Sequence, residues 1–151
     1  MTEERLKSGF PMKAIFILLG IVVLVIVAQG FFCAGSSPDV RVAPAASAIG
    51  ARTPVTVAVA EPRRGLTHVK IELVQGDAAA TVLEKDYTPS SQFFIWGAKT
   101  SKDELKTEVG RKSLNTLKGG QATLRVTAGR AGTWLRRPDP LVEEISLPVQ
   151  L

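Results

Sequence analysis

The sequence predicts a mainly β protein, in which one N-terminal transmembrane helix precedes an antiparallel β-sandwich of immunoglobulin-like type. Three observations support this fold class. An uncharged apolar block lies near the N-terminus, a segment rich in Ala, Ser, Gly and Pro follows it, and the rest of the chain alternates apolar with polar residues. A chain of 151 residues has room for one such helix and one compact domain.

The apolar block spans 14–33 and reads AIFILLGIVVLVIVAQGFFC, without a charged residue. As a helix with a rise of about 1.5 Å per residue it would be about 30 Å long, which matches the hydrocarbon core of a bilayer. Lipid offers no hydrogen-bond partners to an open backbone, so such a segment is helical despite its β-branched residues. We therefore predict a signal anchor over 14–33, after a short tail over 1–13.

Basic residues predict the direction in which this helix crosses the membrane. Arg5, Lys7 and Lys13 precede the block, whereas the next basic residue after it is Arg41. Because positively charged flanks stay in the cytoplasm, the tail is expected inside and the C-terminal domain outside, in the periplasm or the extracellular space.

The same pattern is also typical of a secretory signal peptide, so secretion after cleavage remains an alternative. Retention is favoured because the apolar run is longer than the 7 to about 15 residues of a signal core. Cys33 is the single cysteine, which excludes an internal disulfide. Its lipidation is disfavoured because Phe31 and Phe32 stand where a bacterial lipoprotein signal has small residues.

Residues 34–53 read AGSSPDVRVAPAASAIGART, a composition with little to bury. It predicts a linker without regular structure, which would hold the folded part away from the membrane. The domain itself is accordingly predicted over 54–151.

Apolar residues recur at every second position within that domain, which is the period of a half-buried strand. The strands are expected at 55–59, 69–73, 81–83, 105–109, 122–128 and 145–151. Gly- and Pro-containing turns separate them, and Pro148 confines the last strand to a sheet edge or a bulge. A two-layer sandwich fits this pattern best, with an open barrel as the competing architecture, and 111–117 is expected to form a short helical turn.

The residue inventory argues against an enzyme. A catalytic zinc site needs three protein ligands, and the chain has one histidine, His68, and one cysteine. Neither a Cys-His nor a Ser-His nucleophile is supported by such a set. The adjacent pairs Asp103-Glu104 and Glu143-Glu144 point to opposite faces of a strand, so they are expected to be solvated charges and no carboxylate dyad. We predict no catalytic residue, no metal and no cofactor.

The net charge of +5 is spread along the chain in short doublets, of which Arg136-Arg137 is one. Nucleic acid is not expected as a partner, because it would need a basic stripe interleaved with aromatic residues. Trp96 and Trp134 are expected to fill the ends of the core, with ligand stacking as the alternative. Together with Arg136 and Arg137, they are the candidate ligand or interface contacts.

Three motifs in 73–151 resemble a known arrangement: QGD, FxxWGA and RAGTWLRRPDP, the last followed by a closing LPVQL. This region resembles the β-sandwich domain that precedes the catalytic domain in bacterial lysostaphin-type (LytM-like) zinc endopeptidases of the cell wall. The resemblance implies a location in the bacterial inner membrane and envelope, and a positioning role near peptidoglycan or a cell-wall hydrolase.

The catalytic domain of that family holds its zinc with an HxxxD and an HxH motif, and neither occurs in these 151 residues. The sequence therefore predicts a non-catalytic, membrane-anchored envelope domain that positions or regulates partners at the cell wall. Two alternatives stay open. The chain could be the front part of a zinc metallopeptidase without its catalytic domain, or a structural subunit of a membrane complex.

Overall fold

The computed structural model of the chain describes residues 11–32, 35–88, 98–133 and 135–151. Within them lie one helix and seven strands. Their bounds are α1 (Met12–Phe32), β1 (Asp39–Pro44), β2 (Thr53–Ala60), β3 (Leu66–Gln75), β4 (Ala78–Asp86), β5 (Lys102–Val109), β6 (Gly120–Arg130) and β7 (Leu141–Val149).

Helix α1 is the predicted apolar helix, beginning two residues earlier than expected and ending at Phe32. No residue of Met12–Gln29 is buried against the rest of the protein, so its apolar side chains face outward on all sides. By length and composition this helix can cross a bilayer, although a signal sequence near an N-terminus has the same character.

The seven strands form two antiparallel sheets, which confirms the mainly β class. One sheet has the order β1-β2-β5 and the other the order β4-β3-β6-β7. Strand β4 is bonded to β3, whereas a constant-type immunoglobulin domain pairs its fourth strand with the fifth. The expected edge position of Pro148 is confirmed, because β7 has β6 as its single neighbour in the sheet.

The predicted alternation places one face of each sheet in a shared core. Buried apolar side chains come from both sheets: Val55, Val57 and Val59 of β2, Val69, Ile71 and Leu73 of β3, Leu105 of β5, and Leu124 and Val126 of β6. Each such side chain contributes about 1.5 to 3 kcal/mol when it is fully buried. The two sheets are therefore held together by this apolar layer.

Two predictions about the connections can be compared with the structure. Strand β4 is longer than the segment 81–83 suggested, because a two-residue turn at Gly76 and Asp77 puts Gln75 directly opposite Ala78. The short helical turn expected over 111–117 is present at its start, where the N–H groups of Ser113 and Leu114 donate to the carbonyl oxygen of Gly110 (3.0 and 3.1 Å), and further turns follow. Its shape is set by Leu114 and Leu117, which are buried in the core.

The prediction of an unstructured linker over 34–53 is wrong for the part from residue 39 onwards. This part contains β1, which pairs with β2 from Asp39 opposite Ala60 to Pro44 opposite Val55. Ile49 is fully buried and bridges to Val149. The composition is misleading because a short edge strand needs few apolar residues when its neighbours already supply the core.

The backbone around Ile49 is also tightly enclosed. Its N–H donates to the carbonyl oxygen of Pro148 (2.8 Å), and its own carbonyl accepts from the N–H of Gln150 (2.9 Å). Gly110 passes so close to this segment that a Cβ added there would lie 2.5 Å from the carbonyl oxygens of Gly50 and Ala51. Residues 39–53 are therefore part of the folded domain.

We expect Ile49→Ala to lower the free energy of unfolding by about 2–5 kcal/mol, because it removes a fully buried side chain from the core. The measurement is urea unfolding of the detergent-solubilised full chain, followed by circular dichroism. Exposed Ser47, in the same connection, supplies the control Ser47→Ala, with an expected change within about 0.5 kcal/mol. Equal effects of the two substitutions would mean that this segment is a spacer after all.

Candidate functional site

The sandwich has two ends with different surroundings. The helix-side end, where the chain arrives from α1, carries the loops 61–65, 87–101 and 131–140, of which 89–97 and 134 are not described. The far end carries the connections 45–52, 76–77 and 110–119 together with the C-terminus.

Of the four predicted contact residues, Trp96 and Trp134 lie outside the described residues. Arg136 and Arg137 are exposed in the loop between β6 and β7, at the helix-side end. Among the described residues, neither guanidinium takes part in an ion pair. Both charges are therefore available to a partner that approaches this end.

The loop that carries these arginines has a defined turn. The Thr133 N–H donates to the Arg136 carbonyl oxygen (2.8 Å), and the Arg136 N–H donates to Thr133 Oγ1 (3.0 Å). Thr133 is buried, and a Cβ at Gly132 would lie 2.7 Å from the Arg136 carbonyl oxygen. This turn displays Leu135 outward, with 56% of its surface exposed.

Polar contacts tie the helix-side loops to the start of the domain. The Arg130 Nη1 donates to the carbonyl oxygens of Gly35 (2.8 Å) and Ser36. Buried Glu61 accepts through Oε1 from the N–H groups of Arg63 (3.0 Å) and Arg64 (3.1 Å). The chain that arrives from α1 is thus bound to β6 immediately before the first strand begins.

Lys99 links two of the loops at the same end. Its Nζ donates to the carbonyl oxygens of Pro62 (2.7 Å) and Arg63 (2.6 Å). The N–H of Leu66 donates to the carbonyl of Thr100 (2.9 Å), and the N–H of Ala131 to that of Gly65 (3.1 Å). Three loops are therefore held against one another around the entry of the chain.

The far end has a concavity of about 460 Å³ between the β1–β2 connection, β5 and the turns that follow β5. Its charged lining consists of Arg52, Lys106 and Lys112 against Glu108. Lys106 already pairs with Glu104 (3.5 Å), so the positive balance of the concavity comes from Arg52 and Lys112 against Glu108. Such a site favours an acidic partner.

A second concavity of about 470 Å³ lies along β1, β2 and β5, at the helix-side end of the smaller sheet. Small side chains of β2, Ala58 and Ala60, line it together with Asp39 and Arg41 of β1 and Lys102 and Glu104 of β5. Asp103 also lines it, so three carboxylates face two basic groups, and Arg41 already pairs with Asp39 (3.2 Å). The groove therefore offers no net positive charge to an anionic partner.

Asp103 forms a cluster that sequence analysis did not identify. Its Oδ2 accepts from Lys85 Nζ (2.6 Å) and Tyr87 OH (2.7 Å), so it joins β5 of one sheet to the end of β4 in the other. The expectation that Asp103-Glu104 points to two faces is confirmed, but Asp103 is not a solvated charge. Asp103 lies two residues before Leu105 on β5, so the two side chains point to the same, inward face of the sheet. This spacing was the feature of the sequence that could have identified the cluster.

This cluster changes the protonation of its members. The hydrogen bond from Lys85, followed by that from Tyr87, holds the pKa of Asp103 below its ordinary value of 3.8. Burial, with the hydrogen bond to Asp103, raises the pKa of Tyr87 above its usual range. The ionised carboxylate and the neutral phenol are therefore the forms that the folded protein favours.

His68 lies beside two carboxylates of β4. Its Nδ1 is 2.7 Å from Asp86 Oδ1, and its Nε2 is 3.6 Å from Glu84 Oε1. Within the described ranges, no group of three or more His, Cys, Asp and Glu side chains is arranged to hold a metal ion. His68, Glu84 and Asp86 form a partly exposed polar contact between β3 and β4.

The motifs that carried the family resemblance are placed apart. QGD forms the β3–β4 turn at the far end, where Gln75 Nε2 donates to the carbonyl oxygen of Lys118 (2.8 Å) and Gln75 Oε1 accepts from its N–H (2.8 Å). RAGTWLRRPDP spans the end of β6 and the β6–β7 loop at the helix-side end, and most of FxxWGA lies outside the described residues. The two described motifs do not converge on one site.

A scan against protein-family models and a search of curated proteins find no match for this chain. The resemblance of 73–151 to the endopeptidase-associated domain accordingly rests on its motifs alone.

We expect Asp103→Asn to lower the free energy of unfolding by about 1–3 kcal/mol near pH 7, because it weakens two hydrogen bonds to a charged acceptor. Because the pKa of Asp103 is lower in the folded state, its contribution to the free energy of unfolding is present above pH 3.8. This contribution is lost as the pH falls through the folded-state pKa. The stability difference between wild type and variant should therefore shrink below that pH.

Urea unfolding of the full chain at pH 7, 5 and 3 measures this dependence. Asp139→Asn removes an equivalent charge from an exposed loop position and is the control. A difference between wild type and Asp103→Asn that stays constant over the whole range would show that Asp103 stabilises the fold without its charge.

Proposed function

We propose that this chain is a non-catalytic, membrane-anchored domain of the bacterial cell envelope that positions or regulates a partner close to the membrane. The observation that carries the proposal is the short connection between α1 and the sandwich. Three Cα steps separate Phe32 from Gly35, whose carbonyl already accepts from Arg130, so at most about 11 Å of chain lies between them.

Because this connection is short, the domain is better suited to hold a partner at a fixed distance from the membrane than to reach a distant one. Strand β6 has 11 residues and runs from the far end to the helix-side end. At about 3.4 Å per residue, the sandwich would hold its far end roughly 35 Å beyond the helix-side end. A domain of this kind presents its far end at a defined height, which suits a role in positioning.

The far-end concavity supplies a surface for the partner. Arg52 and Lys112 are exposed there and outnumber Glu108, the single acidic residue of the lining, whereas Lys106 is paired with Glu104. The carboxylates of peptidoglycan stem peptides and the acidic face of a wall hydrolase are complementary to this surface. The resemblance of 73–151 to a domain of wall endopeptidases supports the same class of partner.

The first test of the proposal is the topology of the full chain in bacterial cells. In a Cys33→Ser background, a cysteine at exposed Asp77, in the β3–β4 turn, should react with a membrane-impermeant maleimide added to intact spheroplasts. A cysteine at Thr2 should react only after the membrane is opened, because the basic tail stays inside. Labelling of the two positions with the opposite preference would contradict the proposed orientation.

Membrane retention is measured in the same preparation. The labelled chain should sediment with membranes and resist extraction by carbonate, as an inserted helix does. Recovery of the shortened domain in the soluble periplasmic fraction would instead show that the apolar segment is removed as a signal peptide.

The second test measures binding of the full chain, in detergent, to purified peptidoglycan sacculi. Replacing both Arg52 and Lys112 by Ala should weaken binding by about tenfold, because each exposed ion pair contributes up to about 1 kcal/mol. Arg63→Ala with Lys102→Ala removes two exposed charges from the helix-side end and should leave binding unchanged. Equal losses in the two double variants would contradict a partner site at the far end.

A further inference from the structure

We propose that the loop between β6 and β7 binds the anionic headgroups of the membrane lipids next to α1, through Arg136 and Arg137, with Leu135 inserted at the interface. This inference rests on the proposed membrane anchoring. It adds a second contact with the bilayer, separate from the helix, that sets the orientation of the sandwich.

The position of the loop is the first argument. Arg130, the last residue of β6, holds Gly35 and Ser36, which lie within a few residues of the end of α1. The last paired residues of β6 and β7 are Ala128 and Leu141, so the loop extends from the sheet at this same end. A helix that spans the bilayer therefore brings this loop to the headgroup region.

The chemistry of the loop is the second argument. Leu135, Arg136 and Arg137 follow one another, and all three are exposed. Arginine binds phosphate through a planar fork of donors, while its apolar stem can lie along the acyl boundary. An apolar residue beside two arginines has the composition of a segment that lies at a membrane interface.

The rigidity of the loop is the third argument. The reciprocal hydrogen bonds between Thr133 and Arg136, with the Ala131 N–H bonded to Gly65, hold the turn to the body of the sandwich. Exposure of Leu135 is thus a feature of a constrained turn. Among the described residues of the sandwich, the other large apolar side chains that are exposed are Val142 and the C-terminal Leu151.

Charge alone does not distinguish the two ends, because the far end also carries exposed basic residues, Arg111 and Lys118 among them. What distinguishes the β6–β7 loop is the combination of its charges with Leu135 and with the short connection to α1. Asp139 offsets one of the two loop charges, so the expected binding is moderate and sensitive to salt.

The experiment uses the full chain with Cys33→Ser in lipid nanodiscs. An environment-sensitive fluorophore is attached to a single cysteine at position 135, in the loop, at position 77, in the far-end turn, or at position 25, within α1. Spin-labelled lipids with the label near the headgroup or deep in the acyl chain serve as quenchers. Nanodiscs of phosphatidylcholine alone are compared with nanodiscs that also contain phosphatidylglycerol.

We expect headgroup-labelled lipid to quench the probe at 135 strongly in the anionic nanodiscs and to leave the probe at 77 at background. Arg136→Ala with Arg137→Ala should lower the ratio of membrane-bound to lifted loop roughly 25-fold, since each basic side chain near an anionic surface strengthens binding about fivefold. Arg111→Ala with Lys118→Ala is the charge-matched control and should not reduce the quenching. Sodium chloride at 1 M should reduce it, because the Debye length is then only about 3 Å.

A second reporter keeps Leu135 in place. With the fluorophore on a cysteine at position 139, Leu135→Ser should reduce quenching, because the apolar contact with the interface is lost. Unchanged quenching in this variant would overturn the inserted role of Leu135.

The outcomes separate this inference from the anchoring on which it rests. If deep-labelled lipid fails to quench the probe at position 25, the helix is not in the bilayer and the proposed function fails. If position 25 is quenched but position 135 behaves like position 77, the anchor stands and the lipid contact is overturned. Equal quenching at 135 in both lipid compositions, unaffected by the arginine substitutions, would overturn the recognition of anionic headgroups.

Discussion

The attachment of residues 35–53 to the sandwich is the constraint on which the rest of this structure depends. Arg130 holds the carbonyl groups of Gly35 and Ser36, β1 then pairs with β2, and Ile49 is buried in the core. Residues that would otherwise form a spacer are used to complete the smaller sheet. The domain is consequently joined to α1 by a few residues, and its helix-side end follows directly from the apolar segment.

The two ends of the sandwich differ in their contacts and in their charge. The helix-side end is closed by backbone contacts from Lys99 and by the carboxylate of Glu61, so its loops are held together around the chain entry. The far end carries a positively charged concavity. Under the proposed function, the constrained helix-side end would face the membrane and the basic concavity would face the partner.

Polar contacts between the sheets add a defined geometry that apolar packing alone does not provide. The core residues on each face are mostly Val, Leu and Ile, and such side chains tolerate small shifts of one sheet over the other. Asp103 reaches Lys85 and Tyr87 across the open side between β4 and β5. Hydrogen bonds have defined geometry, so this cluster fixes the relation between the two sheets at one edge.

The sequence by itself determined the helix and the main strands, because these depend on local periodicity. An uncharged run of about twenty residues predicts a helix, and apolar residues at every second position predict strands, wherever the remaining chain lies. The edge position of Pro148 could be foreseen for the same reason, since proline lacks the N–H that a central strand donates on both sides. The exposed Arg136-Arg137 pair was likewise visible as a doublet in a Gly- and Pro-rich loop.

Tertiary structure alone decided the features that depend on partners distant in the chain. Strand β1 and the burial of Ile49 exist because β2 and the end of β7 provide hydrogen bonds and apolar contacts to a segment whose composition is that of a linker. The choice of β3 as the partner of β6, and the meeting of Asp103 with Tyr87, also follow from the packing of the two sheets. Local patterns specify which face of a strand is apolar, whereas they do not specify which strand lies beside it, because that choice is made by the whole core at once.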